Sequence, residues 1–327
     1  MSNHPVPAKS ASRAPLFASG IWLIVLIVAA LFSVGAALAL GEFSPRMIEG
    51  WTTIWVMYGA LAVVGTLLLS VGGIDLSIGA VVGWVGVTIG LLAPEIGVVA
   101  AAAVAVFGAF VVGLVNGLLI GLTRLHPALI TLGTLTLLRG IAFILTDSAP
   151  VRIEDMEILG SPVWGWGGLL LALAGTILLT LALMRSRPNL KQEDAGSGPL
   201  TRIAWMTALF AFSGLIAGLV GVAMAGRLGV GMAMTGTGFE ALVLMLALLS
   251  GVPVGKGANG QTLIGLAAAL VTTLAYVAVE HTLRFSDLPQ ASLETGKGLL
   301  ILVVALISFA VHWTVGRMGK PAAAPGN

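Results

Sequence analysis

Residues 71–79 read VGGIDLSIG, and the chain on either side of them is apolar for most of some twenty residues. An ionised carboxylate at the centre of a bilayer helix costs on the order of 2.5–3.5 kcal/mol, so Asp75 needs a physical reason to be there. Gly72-Gly73 supplies part of it, because glycine is the poorest helix former after proline and favours a break. Asp75 is a preferred N-cap residue, able to accept hydrogen bonds from the backbone amides of Ser77 or Ile78. The stretch therefore predicts a helix that stops, unwinds and starts again. At membrane depth such a break is tolerated only where protein buries it or a cavity is lined by it. Two compatible readings follow for Asp75: a structural cap, or a polar point on a cavity wall.

Composition agrees with a lipid environment. Of 327 residues 58% are hydrophobic and 9% charged, and the mean hydropathy is +1.06. Soluble domains carry roughly 25% charged residues, so this chain could not cover a water-facing surface. The 44 glycines and 11 methionines suit close helix packing, and the lack of cysteine excludes disulfides, thiol catalysis and cysteine-bound metals. A formal charge of +2 is too small to suggest nucleic-acid binding.

Ten apolar segments are expected, at about 16–40, 51–70, 74–93, 96–122, 127–146, 162–184, 202–226, 239–251, 260–280 and 296–314. Most reach the roughly 20 residues that cross a ~30 Å hydrocarbon core. The segment at 239–251 is too short and reads as a broken or re-entrant helix continued past the glycine-rich stretch 249–260. The fold class is thus an all-α integral membrane protein of about ten segments, discontinuous near 72–79 and 249–260. The first segment resembles a signal peptide, with Lys9 and Arg13 before it, but Trp22 to Leu40 exceeds the usual 7–15-residue signal core, so a retained span is expected.

With the N-terminus inside, ten Lys and Arg residues fall on inner loops and tails. Five fall outside, namely Arg46, Arg152, Arg227, Arg284 and Lys297. That asymmetry fits the positive-inside rule and predicts both termini to be cytoplasmic. The expected organisation is a polar tail at 1–15, one membrane domain at 16–314, and a second tail at 315–327. A polar outer loop spans 147–162 and a polar inner loop spans 185–201.

Within the spans, Gly79, Gly83, Gly86 and Gly90 predict a small-residue face for close packing, as do Gly113, Gly117 and Gly121. Asn116 lies in the second of these helices and reads first as an interhelical hydrogen-bonding residue. In TRLHPALITLGTLTLLRGIAF, residues 123–143, Pro127 can sit in the first turn of a helix. Thr131, Thr134 and Arg139 then place polar groups in an apolar segment. Arg139 could snorkel, pair with a carboxylate or face an aqueous path. His126 reads as a solvated loop residue. LSGVPVGKGANGQT, residues 249–262, does not match a phosphate loop: Gly251 and Gly255 enclose three residues, and Gly257 follows Lys256. It reads as a turn between a short helix and the next span. No nucleophile elbow, HExxH or two-carboxylate motif is present, so neither catalysis nor a cofactor is expected.

Four stretches together resemble a known family: GGIDLSIG (72–79), NGLLIGLTRLHPALITLGTLTLLRGIA (116–142), AGRLG (225–229) and SGVPVGKG (250–257). They look like the membrane permeases of ribose-type ABC importers, over about residues 50–313. The resemblance implies an all-helical permease of the bacterial inner membrane that takes up a monosaccharide or similar small polar solute by alternating access. It also implies cytoplasmic ABC ATPase subunits, a periplasmic solute-binding protein and a second permease subunit as partners, with ATP hydrolysed in the ATPase and not in this chain. Asp75, Ser77, Asn116, Thr131, Thr134 and Arg139 are the candidates for lining or gating the path.

The family's coupling helix corresponds to the loop at 185–201, where this chain reads SRPNLKQEDAGSGPLTRI (186–203). Pro188, Gly196, Gly198 and Pro199 disfavour a continuous helix there. Arg187, Pro188, Asn189, Lys191, Glu193 and Asp194 are the expected ATPase contacts. The last glycine turn also lacks the family's usual G-G-T-S. These departures predict pairing with a second, more typical permease. Two alternatives stay open. One is an ion-coupled secondary transporter, for which Asp75 and Glu280 would be the coupling carboxylates; the other is an ABC permease for branched-chain amino acids or nucleosides.

Overall fold

A computed structural model describes residues 45–123, 125–160, 162–186, 199–284, 295–296 and 298–299. The elements run α1 (Pro45–Ser70), α2 (Ile78–Ile96), α3 (Val98–Thr123), α4 (Pro127–Thr146), β1 (Val151–Arg152), α5 (Met156–Leu159), α6 (Pro162–Ser186), α7 (Pro199–Leu228), β2 (Val230–Gly231), α8 (Phe239–Leu249) and α9 (Gly260–Arg284). Among the described residues, seven helices are long and apolar enough to cross a membrane, all but α5 and α8. The expected span at 16–40, all of that at 296–314 but its first few residues, both tails, and the coupling candidates Arg187, Pro188, Asn189, Lys191, Glu193 and Asp194 lie outside the described residues.

The centre of the fold is α7, in which Phe210, Ile216 and Val222 are fully buried. Its closest neighbour is α3. Water does not drive helices together inside lipid, so the association rests on backbone approach and van der Waals packing. A side chain at Gly113 or Gly117 of α3 would overlap the carbonyls of Phe210 or Met206, and one at Gly121 would lie 2.7 Å from the Cα of Ile203. The doubled small-residue spacing predicted from sequence is therefore the α3–α7 contact. On the flank, α1, α8 and α9 form a second apolar cluster around Leu246, Ala62 and Ala269.

Three non-helical segments interrupt the bundle. The first, 71–77, is the predicted break, and Gly72 turns the chain there with φ +85°. Helix α2 starts at Ile78, with Ser77 at the N-cap position. Asp75 thus sits two residues ahead of the cap position expected for it, although its Oδ1 does accept the Ser77 amide at 3.0 Å. The third, 250–259, is the glycine-rich turn, and its amides are already engaged. Gly255 N donates to Leu69 O at 3.1 Å and Gly257 N to Ser70 O at 2.9 Å, capping α1. Asn259 Oδ1 accepts from Gln261 N and Thr262 N, capping α9.

The second segment, 229–238, was not legible as part of the membrane architecture. It pairs antiparallel with the loop that follows α4 (Val151 with Gly231, Arg152 with Val230) and then runs along α2 through successive turns before α8 begins. This changes the reading of the α2 glycines. The close packing is present, but the partner is unwound backbone and not a helix. A Cβ at Gly79 would overlap Gly236 O, one at Gly83 would lie 2.6 Å from Thr235 O, and one at Gly86 3.4 Å from the Cα of Gly231. The glycines carve a groove into which a second stretch of backbone lies.

Candidate functional site

Unwound backbone in lipid is viable only if every N–H and C=O finds a partner inside the protein. The polar side chains predicted from sequence supply those partners. Asp75, on the first segment, is 8% exposed. Its Oδ1 accepts from Ser77 N (3.0 Å) and Ser77 Oγ (2.6 Å), and its Oδ2 accepts from Ser213 Oγ (2.7 Å) on α7. Ser77 Oγ in turn accepts from Asn116 Nδ2 at 3.1 Å, and Asn116 Oδ1 accepts from Thr134 Oγ1 at 2.5 Å. Ser213, Asp75, Ser77, Asn116 and Thr134 thus form one chain of hydrogen bonds across α7, the unwound segment, α3 and α4. Asn116 and Ser77 are themselves buried.

Thr131 and Arg139 serve the backbone directly. Thr131 Oγ1 accepts the Leu76 amide at 3.0 Å and lies 3.2 Å from the carbonyl oxygen of Ile74. Arg139 Nη1 donates to Ala233 O at 3.0 Å and to Thr237 Oγ1 at 2.6 Å, on the second unwound segment. Of the three fates open to Arg139 on sequence, none is the one found first: it solvates a carbonyl that no helix could satisfy. His126 is exposed, as expected, and its Nδ1 accepts from Ala128 N at the start of α4.

All six path candidates therefore touch α4 or the segments beside it. That helix is the least enclosed of the seven, with 17% of its apolar window buried. Leu129, Leu132, Leu137 and Ile144 project away from the described fold. Its inward face is held by Thr131, Thr134 and Arg139 at three successive levels, against two unwound segments and one neighbouring helix. Leu138 and Ala142 of α4 are buried in the apolar core as well, so a few directional bonds and a narrow apolar stripe together position this helix.

Sequence reading missed Ser213, Thr237 and Glu240. A lone hydroxyl in the apolar run LFAFSGL (209–215) and the density of glycine in GRLGVGMAMTGTG (226–238) were the available signals. Glu240 opens α8, where its Oε1 accepts from Gly238 N at 3.2 Å. Glu240 and Asp75 line a cavity of about 20 Å³ between α1, α8 and the first segment. That is room for about one water and for no solute. Among the described residues no group of three or more His, Asp or Glu could hold a metal ion.

Comparison with known proteins gives relatives at modest identity. The chain is 25% identical over 203 residues to the L-arabinose transport system permease protein AraH of Escherichia coli K12, covering 59% of this chain and 60% of that protein. It is 26% identical over 326 residues to the L-arabinose ABC transporter permease protein AraH of Azospirillum brasilense, covering 92% and 93%. It is 32% identical over 229 residues to the autoinducer 2 import system permease protein LsrC of Yersinia pseudotuberculosis, covering 67% and 64%. The match thus spans less than two thirds of the Escherichia coli and Yersinia proteins and nearly all of the Azospirillum one. No family model matches, and no solved structure matches.

Proposed function

We propose that this chain, a homologue of permease proteins from sugar ABC transport systems, is the transmembrane subunit of an ATP-driven importer for a monosaccharide or similar small polar solute. The observation that carries the mechanism is the mounting of α4. A spanning helix with little apolar burial is tied by Thr131, Thr134 and Arg139 to two unwound segments. Among the described residues the cavity at Asp75 has room for about one water, and in this reading the solute path runs along the α4 side, against a second permease subunit. Alternating access then consists of shifting α4 with the unwound segments it grips. Asp75, Ser77 and Asn116 fix the inner end of that assembly, and Arg139 fixes the other.

The working assembly in this reading contains cytoplasmic ABC ATPase subunits, a periplasmic solute-binding protein and a second permease subunit, identical or different. The chain sits in the inner membrane with both termini cytoplasmic, and ATP is hydrolysed in the partner. The loop 185–201 receives the ATPase. Asp75 favours this over the ion-coupled alternative: three donors already occupy a carboxylate that an ion-coupled carrier would need free to exchange its ion. The test is uptake of labelled arabinose, ribose or allose into proteoliposomes holding this chain with its ATPase and binding protein. Uptake should require ATP and the binding protein. Uphill uptake by this chain alone, driven by an ion gradient, would overturn the proposal.

A further inference from the structure

Two opposite charges face the same short hinge without meeting. Arg139 of α4 is bonded to Thr237 through Nη1, and Glu240 of α8 is bonded to the amide of Gly238 through Oε1. Their anchoring residues are joined by one peptide unit. Each nevertheless leaves its other terminal atom buried and without a hydrogen-bond partner: Nη2 of Arg139 and Oε2 of Glu240. Thr235 Oγ1, in the same segment, is also without one. A Cβ built on Gly79 of α2 would overlap Oε2, so the glycine leaves room for the carboxylate but gives it no side-chain donor. Buried polar atoms are nearly always satisfied, and an orphaned charge-bearing group is more costly than a neutral one. The donor and the acceptor are complementary, and their anchoring residues Thr237 and Gly238 are adjacent, so the two orphaned atoms suit each other as partners.

The hinge between them permits the change. Gly236 and Gly238 flank Thr237 with φ +75° and +88°, and nothing lies within 4 Å of a Cβ built on Gly238. Rotation there would swing the start of α8, with Glu240, relative to α4. A rotation that brought the two arms together would replace the Thr237 and Gly238 bonds with a direct one, of the charge-assisted type in which a guanidinium and a carboxylate pair most strongly.

We infer that Arg139 and Glu240 form a direct ion pair in the state of the transport cycle alternate to this one, and that Thr237-Gly238 is the hinge exchanging the two arrangements. The inference rests on the alternating-access reading above. In this state α4 grips the unwound segment through neutral groups; in the other it grips α8 itself. The pair is thus a latch that makes α4 and α8 move together.

The test uses the reconstituted importer with Arg139→Gln, Glu240→Gln, the double variant, and the reversed pair Arg139→Glu/Glu240→Arg. Each single neutralisation strands one charge and should lower ATP-driven uptake about tenfold, the factor that 1.4 kcal/mol gives. The double variant should lose clearly less than the product of the two single losses, because coupled sites are non-additive. Losses that multiply in the double variant would overturn the pair while leaving the proposed function intact. An unmodified importer that moves no solute would sink the proposed function instead. If the single variants fail to insert, the chain's lack of cysteine allows Arg139→Cys/Glu240→Cys to be bridged by a short dithiol-reactive reagent. Bridging should be several-fold faster with nucleotide trapped than without. Equal rates in an importer whose wild-type form is active would count against the latch.

Discussion

Ser213, inside α7, donates its hydroxyl to Oδ2 of Asp75 at 2.7 Å, across 138 residues of chain. The carboxylate that the sequence sets after a pair of glycines is thereby bound to the central helix of the fold. With Ser77 on its other oxygen, it is a hub joining the unwound segment to α7 and, through Asn116, to α3 and α4.

Asp75→Ala should therefore destabilise the protein strongly. It leaves the Ser77 amide and the Ser213 hydroxyl buried without acceptors, at about 1–3 kcal/mol for each. Asp75→Asn keeps one acceptor oxygen, and serine hydroxyls can rotate toward it, so its loss should be smaller. Thermal unfolding in detergent should rank wild type above Asn and Asn above Ala.

The groove along α2 gives a sharper steric test. Gly83→Ala places a methyl 2.6 Å from Thr235 O and 3.0 Å from Ala233 O, both backbone atoms. The unwound segment must move, at about 1–3 kcal/mol. Gly133→Ala on α4 meets nothing within 4 Å and should be neutral or stabilising by up to about 1 kcal/mol. The same unfolding assay separates them; equal behaviour would remove the groove from the account.

Thr131 accepts the Leu76 amide of the first unwound segment, so Thr131→Val should leave that amide without an acceptor while keeping the shape. The expected loss is about 1–3 kcal/mol of stability, with a drop in uptake larger than in Thr131→Ser. Hydrogen exchange should locate the loosening at residues 74–77. Protection unchanged there would argue that α4 is held by other contacts.

Replacing residues 187–198 with a neutral linker should abolish ATP-driven uptake and co-purification with the ATPase, while membrane insertion persists. Uptake at the wild-type level would remove the coupling role from Arg187, Pro188, Asn189, Lys191, Glu193 and Asp194.

The most transparent features in the sequence were those set by local chemistry. Gly72-Gly73 and Asp75 announced the first break, because glycine and a capping carboxylate act within a few residues. Pro127 marked the start of α4, and the glycines at 113, 117 and 121 marked a close helix contact. The segment at 229–238 was opaque for the opposite reason. Its glycines look like an outer loop, and only the groove in α2, contributed by residues some 150 positions earlier, shows that it enters the fold.

Sequence by itself determined that this is an all-α membrane protein with interrupted helices, since apolar length and misplaced polar residues are properties of the chain alone. It also picked out Asp75, Ser77, Asn116, Thr131, Thr134 and Arg139, because polar groups within apolar spans must have a purpose. What only the tertiary structure decided is whom each one serves: Asp75 a distant serine, Thr131 one unwound segment, Arg139 another. The reason is that hydrogen bonds are short. A sequence can show that a buried polar group needs a partner, but only folding brings that partner within 3 Å.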